Sequence, residues 1–247
     1  MEILLIVAAA FGAGILNTIA GGGTFLTFPA LVFIGMPPVM ANATSAVAVL
    51  PGYLGGAFGY RNELAQFDKK QVVKLISVTL AGGLIGSLLL LVSSNDAFSV
   101  IVPFLLLAAT LAFIFGEKIR HWAAEKSRAV TPFGTVGLLL VSIYGGYFNG
   151  GLGIVLLALF ALWGMVNIHQ MNGLKNGLSF ALSAISVAVF AVGGLVEWHN
   201  ALVMMISSTL GGYAGAPIAR SLPRSVVRGL VALVGFSMSA VFFWRLI

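Results

Sequence analysis

The stretch Asn17-Thr18-Ile19-Ala20-Gly21-Gly22-Gly23-Thr24 interrupts an apolar run that extends from Ile3 to Ile34. An altered copy, Tyr147-Phe148-Asn149-Gly150-Gly151-Leu152-Gly153, lies inside a second apolar run that begins near Pro132. Glycine clusters break helices, and peptide groups freed at membrane depth need a partner because lipid offers no hydrogen bonds. Two such breaks, about 128 residues apart, predict two related halves with an anion site between them.

The composition of the chain excludes an ordinary soluble domain. Of its 247 residues, 60% are hydrophobic and only 8% are charged, which is too little charge to cover the surface of a soluble protein. Several uninterrupted apolar stretches of about 20 residues match the hydrocarbon thickness of a bilayer. The sequence therefore predicts an all-α polytopic membrane protein that has the lipid bilayer as a partner.

Charge and cysteine content narrow the possible functions further. A cleaved signal peptide is not expected, because the first 20 residues lack a basic n-region and Glu2 is the only charge before Arg61. The absence of cysteine excludes disulfides, Cys-ligated zinc and thiol catalysis. The net charge of +6 would suggest nucleic acid in a soluble protein. Here the basic residues fall in short loops, which indicates membrane orientation and no nucleic-acid partner.

Eight apolar segments divide the chain into two groups of four. The first segment of each group contains a glycine cluster and is long enough for about 50 Å of helix, too long for one comfortable crossing and short for two. A re-entrant hairpin or a pair of short helices fits that length. We predict an N-terminal repeat over 1–116, a cytoplasmic linker over 117–130 and a C-terminal repeat over 131–247. The segments lie at 3–34, 39–60, 72–93, 97–115, 132–165, 173–194, 201–219 and 226–246.

Short matches at a nearly constant offset support a duplication. Asn42-Ala43-Thr44-Ser45-Ala46 corresponds to Asn172-Gly173-Leu174-Lys175-Asn176, and Thr79-Leu80-Ala81-Gly82 corresponds to Thr209-Leu210-Gly211-Gly212. Each match alone is weak because glycine and alanine recur in membrane helices. Their common offset of about 130 residues indicates two homologous halves.

The positions of the basic loops favour an inverted relation between the halves. Lysine and arginine concentrate in the loops near 61–74, 118–128 and 220–228, whereas the loops near Asp96 and Glu197 contain neither. If the basic loops lie in the cytoplasm, the two halves have opposite orientations in the membrane. This requires that each long segment crosses the membrane an even number of times. The alternative has eight simple spans and parallel halves, and Arg245 argues mildly for it. Both topologies remain open at this point.

The glycine breaks are candidate anion sites. A helix that starts after a break presents free backbone N–H groups and the positive end of its dipole, and glycine lets a ligand approach the backbone closely. The alternative is that these small residues serve only close helix packing. The candidate substrate-binding residues at the breaks are Thr18, Gly21, Gly22, Gly23, Thr24, Asn149, Gly150, Gly151 and Gly153.

A second polar group lies at the start of the following segment in each half. Its members are Asn42, Thr44 and Ser45 in the first half, and Asn172, Lys175 and Asn176 in the second. Asn172 and Asn176 share a helix face because they are four residues apart. Lys175 is either a snorkelling lysine at the cytoplasmic interface or a cation that attracts an anionic substrate. All six are further candidates for substrate binding.

No enzyme signature occurs in the chain. There is no His-Glu-x-x-His, no Gly-x-Ser-x-Gly and no P-loop. The acidic residues all lie at segment edges, so a proton relay based on a buried carboxylate has no candidate. His121, His169 and His199 share no metal-ligand spacing. We therefore expect no enzyme activity, no catalytic residue, no metal and no cofactor.

The chain resembles the sulfite exporter TauE/SafE family. The resemblance rests on Gly14 to Gly23, Pro29-Ala30-Leu31, Ala41 to Ser45 and the second-half Gly150-Gly151-Leu152-Gly153, and it covers essentially the whole chain. Leu152 interrupts the glycine run that is usual in the second half of the family. The resemblance implies a multi-pass permease of the bacterial inner (plasma) membrane for small sulfur-containing anions, such as sulfite or an organosulfonate.

These observations together predict a secondary transporter, in the direction of export, that moves such an anion by alternating access. A passive anion channel on the same scaffold is one alternative, and a non-transporting membrane assembly protein is another. The substrate would be a small anion, and a homodimeric assembly stays open.

Overall fold

The computed structural model describes residues 2–19, 22–126, 133–221 and 224–244, and every regular element in these ranges is an α-helix. The all-α prediction is confirmed. Three helices are long and apolar enough to cross a membrane, namely those over Lys69–Val92, Asn95–Ile119 and Ile168–Val192. The helices in chain order are α1 Glu2–Ile19, α2 Thr24–Phe33, α3 Pro38–Gly59, α4 Arg61–Leu64, α5 Lys69–Val92, α6 Asn95–Glu125, α7 Thr135–Tyr147, α8 Leu152–Leu162, α9 Ile168–Val192, α10 Trp198–Ser221 and α11 Arg224–Trp244.

Helices α6 and α9 extend furthest beyond the apolar segments predicted for them. Helix α6 continues to Glu125, so the first part of the predicted 117–130 linker is helical, because its Glu, Lys, Arg and Ala residues are good helix formers. Helix α9 begins at Ile168, five residues early, because the Asn167 side chain accepts hydrogen bonds from the backbone N–H groups of His169 and Gln170.

The two long apolar segments each fold into two helices. Helix α1 is described to Ile19 and α2 begins at Thr24, and the described residues Asn17, Gly22, Gly23 and Thr24 near this junction are called break one below. Helix α7 ends at Tyr147 and α8 begins at Leu152, and residues 148–151 are called break two. Gly151 has a φ of 71°, a left-handed conformation that glycine adopts without steric cost.

The helices within each segment run back along one another. At break two, Gly145 lies against Leu152 and Gly137 lies against Leu159, so residue numbers fall along α7 as they rise along α8. At break one, a Cβ on Gly12 would lie 3.0 Å from Leu26 Cδ1, and a Cβ on Gly23 would lie 2.8 Å from Ala13 O. Within the described residues, each long segment therefore contains two helices that pack antiparallel to one another.

The packing of helices repeats between the two halves. Helix α1 packs against α10 as α7 packs against α5, and α3 packs against α10 as α9 packs against α5. Helix α3 also packs against α9, and α6 against α11. The helices correspond in order, α1, α2, α3, α5 and α6 to α7, α8, α9, α10 and α11. When each helix is replaced by its counterpart, every pair named above becomes a pair that is also named above.

The α3–α9 and α6–α11 pairs are antiparallel. Gly56 of α3 lies against Asn176 of α9, whereas the later Tyr60 lies against the earlier Gly173. Thr110 of α6 contacts Gly235 of α11. The earlier Pro103 carbonyl accepts a hydrogen bond from the later Ser239 Oγ at 2.9 Å.

Aromatic residues join the two hairpins in the core. The ring of Phe28 in α2 lies 5.8 Å from that of Phe148 in break two, 6.3 Å from that of Phe98 in α6 and 6.1 Å from that of Phe242 in α11. All four rings are buried. Such aromatic contacts supply large apolar burial with defined ring geometry, and they hold break two beside the helix that follows break one.

Candidate functional site

Both breaks lie against one face of α6. A Cβ on Gly22 of break one would lie 3.0 Å from the ring of Phe113, and a Cβ on Gly151 of break two would lie 3.1 Å from Ala109 Cβ. Ala109 and Phe113 are four residues apart and share a helix face, about 6 Å apart along α6. The fold thus brings the two breaks to nearly the same position along α6.

The breaks also meet the middle of α3. The Asn17 amide lies against Gly52, 3.5 Å from the position of a Cβ there. The neighbouring Tyr53 hydroxyl donates to Asn149 Oδ1 of break two at 3.3 Å. Consecutive α3 residues therefore contact polar side chains from both hairpins, so that the two breaks lie between α3 and α6.

Break one has two polar groups without a partner among the residues that the structure describes. Helix α2 begins after Gly23 with no side-chain cap, and the Gly23 N–H donates to Asn17 Oδ1 at 2.8 Å. Thr24, in the first turn of α2, is only 3% exposed. Its Oγ1 has no hydrogen-bond partner, and neither does the buried Asn17 Nδ2.

The polar groups of break two are connected to the protein around them. Asn149 Nδ2 donates to Ser183 Oγ of α9 at 3.2 Å, and the Tyr144 hydroxyl donates to the Gly150 carbonyl. Asn42 Nδ2 donates to the Tyr147 carbonyl at 2.9 Å, which satisfies a carbonyl at the C-terminal end of α7. Gly151 caps α8 without a side-chain hydrogen bond, and Gly153 is buried in its first turn.

The polar group at the start of α3 is hydrogen-bonded within the fold. Ser45 Oγ and Thr27 Oγ1 of α2 are 2.6 Å apart, so one hydroxyl donates to the other. Thr44 Oγ1 accepts from the backbone N–H of Glu197 at 3.1 Å. The contact between Thr44 and Glu197 joins α3 to the start of α10. The Thr44 hydroxyl therefore has a structural partner that belongs to neither break.

Replacing Thr44 with valine should lower the stability of the protein without changing its ligand affinity. Valine has nearly the shape of threonine but leaves the Glu197 N–H without its acceptor, which costs about 1–3 kcal/mol. Thermal unfolding in detergent, with and without added sulfite, measures both effects. A Thr44→Val protein that unfolds like the wild type but loses its sulfite response would place Thr44 at the ligand instead.

Lys175 is the only charged side chain among the buried residues that the structure describes, with 4% of its surface exposed. Its ammonium donates to Asn172 Oδ1 at 3.1 Å. No aspartate or glutamate is among the buried residues of the described ranges. An uncompensated buried charge is costly, so the site around Lys175 favours an anion.

The two predicted polar groups do not form one cluster in the structure. Because α3 and α9 are antiparallel, Asn42, Thr44 and Ser45 lie toward one end of the helix pair. Asn172, Lys175 and Asn176 lie toward the other end, with the breaks between. Gly21 lies outside the described residues, and only the backbone of Thr18, in the last turn of α1, is described.

Sequence reasoning did not select four residues that contact the breaks or the hairpins, namely Asn17, Thr27, Tyr53 and Ser183. A signal existed for Ser183, because Asn176, Ser179, Ser183 and Ser186 recur at three- and four-residue spacing and form a polar stripe on α9. Tyr53 had no comparable signal. A tyrosine near a helix end resembles an ordinary interfacial aromatic residue. No group of three metal-ligating residues lies together in the described ranges.

Comparisons with known proteins agree along nearly the whole chain. The family model for "Sulfite exporter TauE/SafE" matches residues 6–242. A probable membrane transporter protein of Haemophilus influenzae is 29% identical over 93% of this chain and 90% of its own length. The probable membrane transporter protein YfcA of Escherichia coli K12 is 28% identical over 92% of this chain and 84% of its own length. No solved structure matches significantly.

Proposed function

The chain belongs to the sulfite exporter TauE/SafE family, and from that premise we propose that it carries a small sulfur-containing anion, such as sulfite or an organosulfonate, out across the inner membrane of a bacterium. The family and the relatives are membrane transporters and not enzymes, which confirms the coarser prediction made from the sequence. The anion, the direction and the mechanism are the proposal.

The buried Lys175 is the observation that carries the anion assignment. A lysine at membrane depth is costly unless it pairs, snorkels or faces a cavity, and Lys175 is buried without an acidic neighbour among the buried residues described. A transported anion would compensate its charge during each cycle. The uncapped N-termini of α2 and α8 point to the same kind of ligand, because backbone N–H groups and the helix dipole favour negative charge.

Inverted repeats are the topology that we propose for the two halves. The corresponding helices α3 and α9 are antiparallel, and so are α6 and α11 (see Overall fold). A two-fold axis that relates a helix to an antiparallel counterpart lies in the membrane plane, as in many transporters with inverted repeats. The hairpins α1–α2 and α7–α8 would then be re-entrant, entering from opposite sides of the membrane.

Alternating access follows from this arrangement. Each hairpin tip would reach the middle of the membrane from its own side, with both breaks between α3 and α6. Movement of one hairpin, or of one half against the other, would open the site to one side while the other stays closed. The glycines at the tips provide backbone freedom for such a movement.

Transport should be visible with the purified protein in liposomes. We expect saturable uptake of radiolabelled sulfite that is accelerated by unlabelled sulfite on the opposite side, because a carrier returns faster when loaded. Empty liposomes are the control. Uptake without saturation or acceleration would indicate a channel, and absence of flux with both sulfite and methanesulfonate would contradict the proposed function.

The topology can be tested by cysteine labelling, since the natural chain has no cysteine. The inverted arrangement places the loops at Asp96 and Glu197 on the same side of the membrane and Gln170 on the opposite side. We expect Asp96→Cys and Glu197→Cys to react with an impermeant maleimide from outside intact cells, and Gln170→Cys to react only after lysis. Labelling of Asp96→Cys and Glu197→Cys from opposite sides would instead support parallel halves.

A further inference from the structure

Break one and break two differ in how their polar groups are partnered. From this difference we infer that the anion is bound directly at break one, by Asn17, Thr24 and the start of α2, whereas break two is a structural element. The inference rests on the proposed transport of an anion. It assigns the ligand to one of two similar places that sequence reasoning treated as equivalent.

Break two already uses its polar side chains within the protein. The two polar atoms of the Asn149 amide bind Tyr53 and Ser183, from α3 and α9 respectively. The carbonyls of Tyr147 and Gly150 accept from Asn42 and Tyr144. The hydrogen bonds of Asn149 hold break two between α3 and α9. An anion that bound to the Asn149 amide would have to displace one of them.

Break one presents two donors that have no acceptor in the described part of the chain. The Oγ1 atom of Thr24 and the Nδ2 atom of Asn17 are both buried and unpartnered. Buried polar atoms are nearly always hydrogen-bonded, so each exception calls for an explanation. Both atoms can donate, and both belong to residues beside the start of α2, which has no side-chain cap.

If the two halves are equivalent, the cation Lys175 lies on the side of break one. Asn42 donates to the α7 carbonyl that immediately precedes break two. Its counterpart in the second half is Asn172, so the equivalent arrangement directs Asn172, and with it Lys175, toward the end of α1 that precedes break one. The packing of α3 is consistent with this position of Lys175. Asn17 lies against Gly52, and Asn176, the neighbour of Lys175, lies against Gly56, one helical turn further along the same face of α3.

The chemistry of break one fits an anion with several acceptor oxygens. An amide N–H, a hydroxyl and an ammonium are all donors. A sulfite ion or a sulfonate group has three oxygens on one sulfur atom and can accept from several of these donors at once. A ligand that itself must donate hydrogen bonds would find fewer partners at break one.

Thr24→Val is the sharpest test, because it removes the hydroxyl and keeps the shape. We expect it to weaken sulfite binding by about tenfold, the effect of losing one hydrogen bond to a charged ligand. Its stability without ligand should not fall, since Thr24 Oγ1 has no protein partner to lose. The measurements are calorimetric titration of sulfite into the full-length protein in lipid nanodiscs and thermal unfolding of the same samples.

Two variants serve as controls. Thr79→Val removes another buried and unpartnered hydroxyl, on α5 and away from both breaks, and should leave sulfite affinity unchanged. Ser183→Ala removes a partner of Asn149 at break two and should lower stability while leaving affinity unchanged.

The outcomes separate this inference from the proposed function. A loss of about fivefold or more in Thr24→Val, with both controls unchanged in affinity, supports binding at break one. A smaller effect in Thr24→Val, or an equal loss in Ser183→Ala, overturns the inference while leaving anion transport intact. If neither sulfite nor methanesulfonate binds to or is transported by the wild type, the proposed function itself fails.

Discussion

Replacing Lys175 with glutamine should lower sulfite flux by about 100-fold and leave the protein at least as stable as the wild type. A charge-assisted interaction with a desolvated anion is worth about 2–5 kcal/mol when one partner is removed. The stability should not fall, because removing an uncompensated buried charge relieves its desolvation cost. Counterflow in proteoliposomes and thermal unfolding of the same preparations measure both quantities.

Matched lysine variants separate a binding role from a general effect of charge. Lys74→Gln removes an exposed lysine from α5 and should leave flux unchanged, whereas Lys175→Arg retains the positive charge and should preserve part of the flux. If Lys175→Gln retains wild-type flux, Lys175 is only a buried structural lysine. If the variant unfolds, Lys175 is needed for the fold, which would contradict the predicted gain or neutrality in stability.

Replacing Gly86 with leucine should prevent the protein from folding. A Cβ at this position would collide with the Ile143 carbonyl oxygen of α7 and lie 2.8 Å from the Tyr147 backbone nitrogen. Both neighbours are backbone atoms of a packed helix and cannot move aside as a flexible side chain can. Small residues permit such close helix approach in membranes, and overpacking here should cost about 3 kcal/mol or more.

The control for Gly86→Leu is the same substitution on an open surface. Gly55 lies in α3, and a Cβ there would have no atom within 4 Å. Gly55→Leu should be neutral or stabilising, because leucine favours a helix by up to about 1 kcal/mol over glycine. Yield and monodispersity in size-exclusion chromatography report on folding, and equal behaviour of the two variants would argue against tight α5–α7 packing.

Fold class and membrane character were predictable because they depend on local and compositional properties. Hydropathy over about 20 residues decides which segments prefer lipid, and the second glycine cluster marks the position where α7 ends. Boundaries were less accurate where a cap such as Asn167 started a helix outside its apolar stretch. The run from Glu117 to Glu125 was predicted as linker because charge ended the apolar segment, although its residues continue α6.

The candidate site was only partly predictable, because sequence motifs locate polar residues but not their partners. Lys175 stood out because a lysine within an apolar segment is costly. The roles of Thr44 and Asn42 could not be read in the same way. Thr44 accepts from Glu197, and Asn42 donates to the carbonyl of Tyr147, 105 residues away. Only the folded chain brings such residues together.

The sequence by itself determined that this chain is a helical membrane protein of a transporter family, with two glycine clusters inside long apolar runs and with Lys175 near the start of an apolar segment. Those properties follow from side-chain hydrophobicity and backbone freedom, which each residue carries wherever it lies. Only the tertiary structure decided that both breaks lie between α3 and α6. It also decided that Asn149 is bonded on both sides while Asn17 Nδ2 and Thr24 Oγ1 remain unpartnered, because hydrogen-bond satisfaction depends on residues that are distant in sequence.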